Sequence, residues 1–188
     1  MRADAKRNYD RVVASAGDVV AEQGADASMR DIARRADVGL ATLLRHFPTR
    51  EALLEALLRR RFDALAERAE SADPAQLPAE TLKDWLREFV VGAATYRGVV
   101  ELMTAAIDEP GSALHASCTR MRAGGAALLA RAQEAGVARA DIDGTDLFAL
   151  ASATAWLRSQ PALDSRADHL STLMMSIIID DGAPATVD

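Results

Sequence analysis

At 188 residues the chain is long enough to bury a core without covalent staples, and its single cysteine, Cys118, has no second thiol for an intrachain disulfide or a cysteine zinc site. Nearly half the residues are apolar but only 4% are aromatic, a balance that favours helices over sheets and predicts an all-α protein. The net charge of -6 argues against nucleic acid as a partner of the whole surface, yet the first 61 residues carry 12 basic and 9 acidic side chains, leaving -9 for the rest. A mildly basic head on an acidic body suits a nucleic-acid reader, although ordinary scatter of surface charge also produces it.

The first predicted helix runs from Arg7 to Gln23, where Val12, Val13, Ala16, Val19 and Val20 recur at three and four residues, and Gly24 offers a left-handed stop. Ser28 reopens a helix, with Asp31 three residues on as the second half of a capping box. Met29, Ile32, Ala33 and Ala36 form its apolar face, and it ends near Asp37, Val38 and Gly39, where glycine permits a tight turn. Leu40 to Phe47 makes a very short third helix closed by Pro48. Thr49 then caps a long fourth helix carrying Leu53, Leu54, Leu57, Leu58, Phe62 and Leu65.

Ser71 to Pro78, with two prolines, reads as a link. A fifth helix follows from Ala79 to about Ala94, Tyr96-Arg97-Gly98 interrupts, and Val99 to Ile107 predicts one short buried helix. Ser112 to Ala135 is long, with Gly124-Gly125 marking a kink or a close backbone approach and Gly136 as terminator. Asp143 with Asp146 repeats the capping signature before a helix from Leu147 to Ser159. Pro161 separates this from a last helix, Arg166 to Ile179, and the tail after Gly182 is expected to fray. About nine helices result.

The first residues, MRADAKRNYD, lack the apolar core of a signal peptide, and no apolar run approaches the roughly 20 residues of a spanning helix. The expectation is a cytoplasmic protein without a membrane partner.

The segment from Ser28 to Phe47 has the spacing of a helix-turn-helix, whose second helix enters the major groove while the caps around it hold phosphates. Gly39, Leu40 and Thr42 stand at the start of that second helix, and Arg45 and His46 give polar reach at its end. Arg45 can read guanine or hold a phosphate, His46 can contact DNA or pack at the helix end, and Leu40 can meet a thymine methyl or solvent. Ser28 and Thr49 open helices whose N–H groups can cradle phosphates, with Arg50 as a neighbouring cation. Arg59-Arg60-Arg61 reads as a solvated face or a phosphate track.

These residues resemble the N-terminal domain of TetR-type (TetR/AcrR) bacterial transcriptional regulators over Arg7 to Leu65. The order Ser28-Met29-Arg30-Asp31-Ile32-Ala33, Ala36-Asp37-Val38-Gly39, Thr42-Leu43 and His46-Phe47-Pro48-Thr49-Arg50-Glu51-Ala52-Leu53 follows the family pattern almost position by position. Two positions depart from it. Leu44 stands where a phosphate-bonding tyrosine is usual, and Gly39 where a serine is common. The stretch LLARAQEAGVARADIDGTDLFAL is similar to the regulatory domain of one actinobacterial branch.

The resemblance implies a DNA-binding domain over residues 6–65 and a regulatory, ligand-binding and dimerisation domain over residues 66–188. It implies a ligand-responsive repressor that binds a palindromic, double-stranded operator as a homodimer, needs no cofactor and answers to a small-molecule effector of unknown identity. Dimerisation through the last two helices has independent support. The final helix has apolar residues on more than one face (Leu173, Met174, Met175, Ile177, Ile178, Ile179), and Leu147 to Ser159 offers the small residues Ala151, Ser152, Ala153 and Ala155; the interface residues expected are Ala151, Ala155, Leu170, Leu173, Met174 and Ile177. Bulky or polarisable candidates for the ligand site are Trp85, Phe89, Met103, His115, Cys118, Met121, Phe148 and Trp156, most of which also read as plain core. His115 with Cys118 is too few for a metal. The alternative is a small all-α enzyme or ligand-binding protein with a three-helix head that does not bind DNA. Asp141 with Asp143, or His115 with Cys118, would be its catalytic pair, yet no third orienting group or phosphate loop accompanies either.

Overall fold

A computed structural model describes residues 2–179, so the expected fraying after Gly182 lies outside the described residues. They form ten α-helices: α1 (Arg2–Gln23), α2 (Met29–Arg35), α3 (Leu40–His46), α4 (Arg50–Glu70), α5 (Pro78–Thr95), α6 (Arg97–Leu102), α7 (Thr104–Asp108), α8 (Ala113–Glu134), α9 (Gly144–Arg158) and α10 (Ala167–Ile178). A 3₁₀ helix, Pro161–Arg166, precedes α10, and the β structure among the described residues is one isolated antiparallel bridge between Ala138 and Ile179.

The chain divides into two compact units, one of residues up to Arg61 with Tyr96–Ala116, the other of Phe62–Thr95 and the residues from Ser117 onward. In the first unit the expected stripe of α1 is realised, with Val12, Val13, Ala16, Val19 and Val20 all buried. α1 packs on α2 and α2 on α3. Arg35 joins α2 to α1 by a forked ion pair with Glu22, which holds the Glu22 carboxyl below its ordinary range.

The expected single buried helix from Val99 to Ile107 is instead two. Met103, at φ -96° and ψ 6°, ends α6, and the Thr104 hydroxyl turns back to the carbonyls of Val100 and Glu101, a local bond that competes with helix continuation. Val99 and Met103 are buried but Leu102 is exposed, so the segment is only half submerged. The expected break at Tyr96-Arg97-Gly98 is also displaced, since α6 already includes Arg97 and Gly98.

The second unit is built around Trp85, whose indole N–H donates to the Leu65 carbonyl at 2.8 Å, stacked on Phe89 and edge-on to Phe148. Leu82, Leu86, Leu129, Leu147 and Ile178 surround it in one buried cluster, each worth about 1.5–3 kcal/mol for leaving water. The glycine pair of α8 serves close approach, because a Cβ on Gly124 would stand 2.8 Å from Ala69 Cβ and one on Gly125 2.7 Å from the Trp85 ring. α8 nevertheless continues through the pair. The link at residues 71–77 is held by Arg131, which donates to the carbonyls of Asp73, Pro74 and Gln76. Asp143 forms the expected capping box with Asp146, and the N–H groups of Asp146 and Thr145 hold its carboxyl below the ordinary value.

Candidate nucleic-acid interface

The turn between α2 and α3 is a Schellman motif: Val38 N–H donates to the Ala33 carbonyl at 3.0 Å and Asp37 N–H to the Arg34 carbonyl at 3.2 Å. The left-handed residue this motif needs is Asp37, at φ 51°. The expected use of Gly39 as the turn residue is therefore corrected. Gly39 is extended, at φ -66° and ψ 143°, and any residue could adopt that conformation. Aspartate tolerates the left-handed region better than most side chains, which is why the motif closes two residues before the glycine.

Ser28 caps α2, its Oγ accepting from Arg30 N–H at 3.2 Å, and Thr49 caps α4, its Oγ1 accepting from Ala52 N–H at 3.1 Å. The reciprocal half of the box expected from Asp31 is not made, because its carboxylate pairs with Arg34 at 2.9 Å. An exposed arginine one turn along competes successfully with the backbone N–H.

Within α3 the seven residues sort cleanly. Leu43 is fully buried and Phe47, just beyond, is buried against the Tyr9 ring at 4.9 Å between centroids. Ala41, Leu44 and Arg45 are exposed, and Leu40, Thr42 and His46 are half-buried. His46 lies edge-on to Tyr9 at 6.3 Å, so its ring packs at the helix end while staying partly open. Arg45 has no ion-pair partner among the described residues, whereas Arg50 is held by Asp26 at 3.0 Å with Glu51 at 3.9 Å. Arg30, in the first turn of α2, is likewise exposed and without an ion-pair partner among the described residues, a second cation beside the Ser28 cap that helix spacing does not single out.

The residues expected to hold a ligand do not gather at one place. Trp85, Phe89, Met121 and Phe148 are buried in the second unit's core, Met103 is buried in the first unit, and Trp156 is 53% exposed. His115 and Cys118 are half-buried on α8 on either side of the unit division, with His115 Nδ1 2.8 Å from the Ile107 carbonyl. Of the expected dimer residues, Ala151, Ala155 and Met174 are buried in their own unit's core, Leu170 is half-buried, and Leu173 and Ile177 are exposed. No cluster of three or more metal-ligating side chains occurs among the described residues. Nor is any described helix long and apolar enough to cross a membrane.

Comparison with known families finds two matches along the chain. Residues 12–57 match the family described as bacterial regulatory proteins of the tetR family, and residues 77–176 match the C-terminal domain of SbtR-like transcriptional regulators. No curated protein sequence matches. Among solved structures, a TetR transcriptional regulator of Streptomyces coelicolor is 33% identical with a TM-score of 0.75, covering 93% of this chain and 99% of its own. A TetR regulatory protein of Mycobacterium vanbaalenii is 32% identical with a TM-score of 0.69, over 95% of this chain and 98% of its own. A transcriptional regulator of Rhodococcus sp. Rha1, at 22% identity and a TM-score of 0.65 over 94% of this chain and 99% of its own, shares the fold. With a capped α2-turn-α3 reader in place, a matched regulatory domain behind it and two relatives above 30% identity over nearly the whole chain, the protein belongs to the TetR family and is a DNA-binding, ligand-responsive transcriptional regulator.

Proposed function

We propose that the protein is a repressor that binds a palindromic operator as a homodimer, placing α3 of each copy in successive major grooves about one helical turn apart. The observation that carries this reading is the open face of α3, where Arg45 is exposed and has no ion-pair partner among the described residues while Leu43 anchors the opposite side. Thr42 and Leu40 contact base edges, Arg45 and His46 reach a base or a phosphate, and the helix starts at Ser28, Gly39 and Thr49 receive phosphates with Arg30 beside them. Arg50 contributes only after releasing Asp26.

The dimer face is drawn from the exposed sides of the last two helices. α9 exposes Ala149, Ser152, Ala153 and Trp156 at helical spacing, and α10 exposes Leu173 and Ile177 one turn apart with Leu170 half-buried beside them. Small residues beside the single large Trp156 on one helix and large apolar ones on the other suit a two-fold helix-helix interface. Ala151, Ala155 and Met174 support that face from within the core.

An effector held by the second unit lowers operator affinity through α4, which follows α3 after only Phe47, Pro48 and Thr49 and whose residues divide between the two units. The effector must bind the two spacings of the heads with different affinity, since only that difference shifts the equilibrium. Selection of genomic fragments with the full-length protein tests the reading: recovery of a two-fold symmetric motif is expected, and enrichment of no motif, or of an asymmetric one, rejects it.

A further inference from the structure

The second unit contains a groove of about 410 Å³ between α5, the end of α9 and α10, in the range of small-molecule sites. None of the bulky residues expected to hold a ligand lines it. Its floor is apolar, with Val90 and Met175 buried, and its walls are polar. Beyond Arg61 the chain is strongly acidic, at net -9, with ten basic residues, yet three of those ten, Lys83, Arg87 and Arg158, line this one groove against two carboxylates, Glu80 and Asp168.

Every cation of the groove already faces a carboxylate: Lys83 pairs with Glu80 at 3.1 Å and Arg87 with Asp84 at 2.6 Å, both along α5. Arg158 donates from Nη1 to Asp168 at 2.7 Å, and Asp168 is 94% exposed while the Arg158 side chain is only 29% exposed. A pair with one member so solvated is weak and exchangeable. On the facing helix, the hydroxyls of Ser171 and Thr172 donate to the α10 carbonyls of Ala167 and Asp168, so that they face the groove with their lone pairs as acceptors. Of the three pairs, that of Arg158 has the most solvated carboxylate, and an incoming anion there would have the α10 hydroxyls and the apolar floor beside it.

We propose that this groove binds a small organic monocarboxylate with an apolar body and a hydroxyl group. Its carboxylate replaces Asp168 on Arg158 and approaches Lys83, and its hydroxyl donates to Thr172 or Ser171. Bidentate arginine pairing over a partly desolvated floor is stronger than the exposed internal pair it displaces. The proposal deepens the ligand-responsive reading, and its test needs no DNA, so its failure would leave the operator reading standing.

Titration calorimetry on the full-length protein with 4-hydroxybenzoate, 3-hydroxybutyrate and 6-hydroxyhexanoate checks it. Saturable binding of at least one is expected, weakened tenfold or more by Arg158→Gln and by Lys83→Gln, and weakened again when the acid is replaced by its neutral amide. Thermal melts identify variants that fail to fold, and Thr172→Val, which keeps the shape and removes the acceptor, gives a second reading. The proposal is overturned if none of the three acids binds, if the amide binds as well as the acid, or if Phe89→Leu in the core abolishes binding while the groove variants do not.

Discussion

The Tyr96 hydroxyl donates to the Gly17 carbonyl at 3.3 Å, joining two residues 79 positions apart inside the first unit. The Arg61 guanidinium lies 5.0 Å from the centroid of the same ring, and a Cβ on Gly17 would stand 3.2 Å from the hydroxyl. Tyr96 therefore ties the residue before α6 to the middle of α1 and to α4. Tyr96→Phe should cost about 1 kcal/mol, the net worth of one buried hydrogen bond, and Tyr96→Ala about 3–5 kcal/mol through the cavity as well. Urea denaturation followed by far-ultraviolet circular dichroism measures both. Tryptophan fluorescence is the wrong probe, since Trp85 and Trp156 both belong to the other unit. Equal stability of the Phe variant and the wild type would mean that the bond contributes nothing.

Asp37 occupies the left-handed position of the α2–α3 turn and puts a negative charge at the C-terminal end of α2. Both are mildly unfavourable, the first through its Cβ and the second through the helix dipole. Asp37→Gly should stabilise the protein by about 0.5–1 kcal/mol and tighten operator binding by removing an anion from the reader. A fall in melting temperature would show that the aspartate is needed for something other than the turn.

Arg45 and Arg50 look equivalent in sequence but differ in the fold, one without an ion-pair partner among the described residues and the other engaged by Asp26. Arg45→Ala should weaken operator binding by about 1–3 kcal/mol, and Arg50→Ala by less. Repeating the gel shifts at several salt concentrations separates base from phosphate contact. A salt slope reduced by about 1 with unchanged sequence preference marks a phosphate contact, and relaxed preference at one position marks a base. Unchanged affinity for the Arg45 variant would remove it from the interface.

The helices were legible because their signals are local: the valine stripe of α1, the caps at Ser28, Thr49 and Asp143, and the stops at Gly24 and Gly136 each act within a few residues. What escaped the sequence was competition between neighbours. Asp31 has both a backbone N–H and Arg34 within reach, and Thr104 both a following turn and a preceding carbonyl, and the spacing of residues does not rank such choices. The Tyr96–Gly17 bond was hidden for a different reason, since nothing in a helical period announces which distant carbonyl a tyrosine will meet. The groove was hidden because its lining is charged, whereas the bulky groups that usually mark a pocket are packed against one another around Trp85.

Leu173 and Ile177 are 45% and 49% exposed on α10, an unusual position for two large apolar side chains one turn apart. Replacing both with Glu removes no buried contact of comparable size within the chain, so the fold should survive with the circular dichroism spectrum unchanged. If α9 and α10 form the dimer face, the double variant should be monomeric by light scattering and should lose operator binding, because one head alone contacts a single half-site. A dimer that persists in the folded variant would move the interface elsewhere.

Gly125 and Gly39 offer a matched contrast in what a single methyl does. At Gly125 a Cβ would stand 2.7 and 2.9 Å from the Trp85 ring and 2.9 Å from Phe148. Trp85 cannot swing aside without giving up its bond to the Leu65 carbonyl. Gly125→Ala should therefore destabilise by about 1–3 kcal/mol, the usual cost of overpacking, despite alanine's better helix propensity, and should shift the tryptophan emission. At Gly39 the nearest atom to a new Cβ is Thr42 Oγ1 at 3.9 Å, and the backbone there is extended. Gly39→Ser should fit without strain and can supply the side-chain cap that α3 lacks, worth a few tenths of a kcal/mol over glycine. Denaturation of the two variants beside the wild type decides the matter. If Gly125→Ala proves neutral, α8 can give way by several tenths of an ångström, and the glycine pair is not what sets its approach to Trp85.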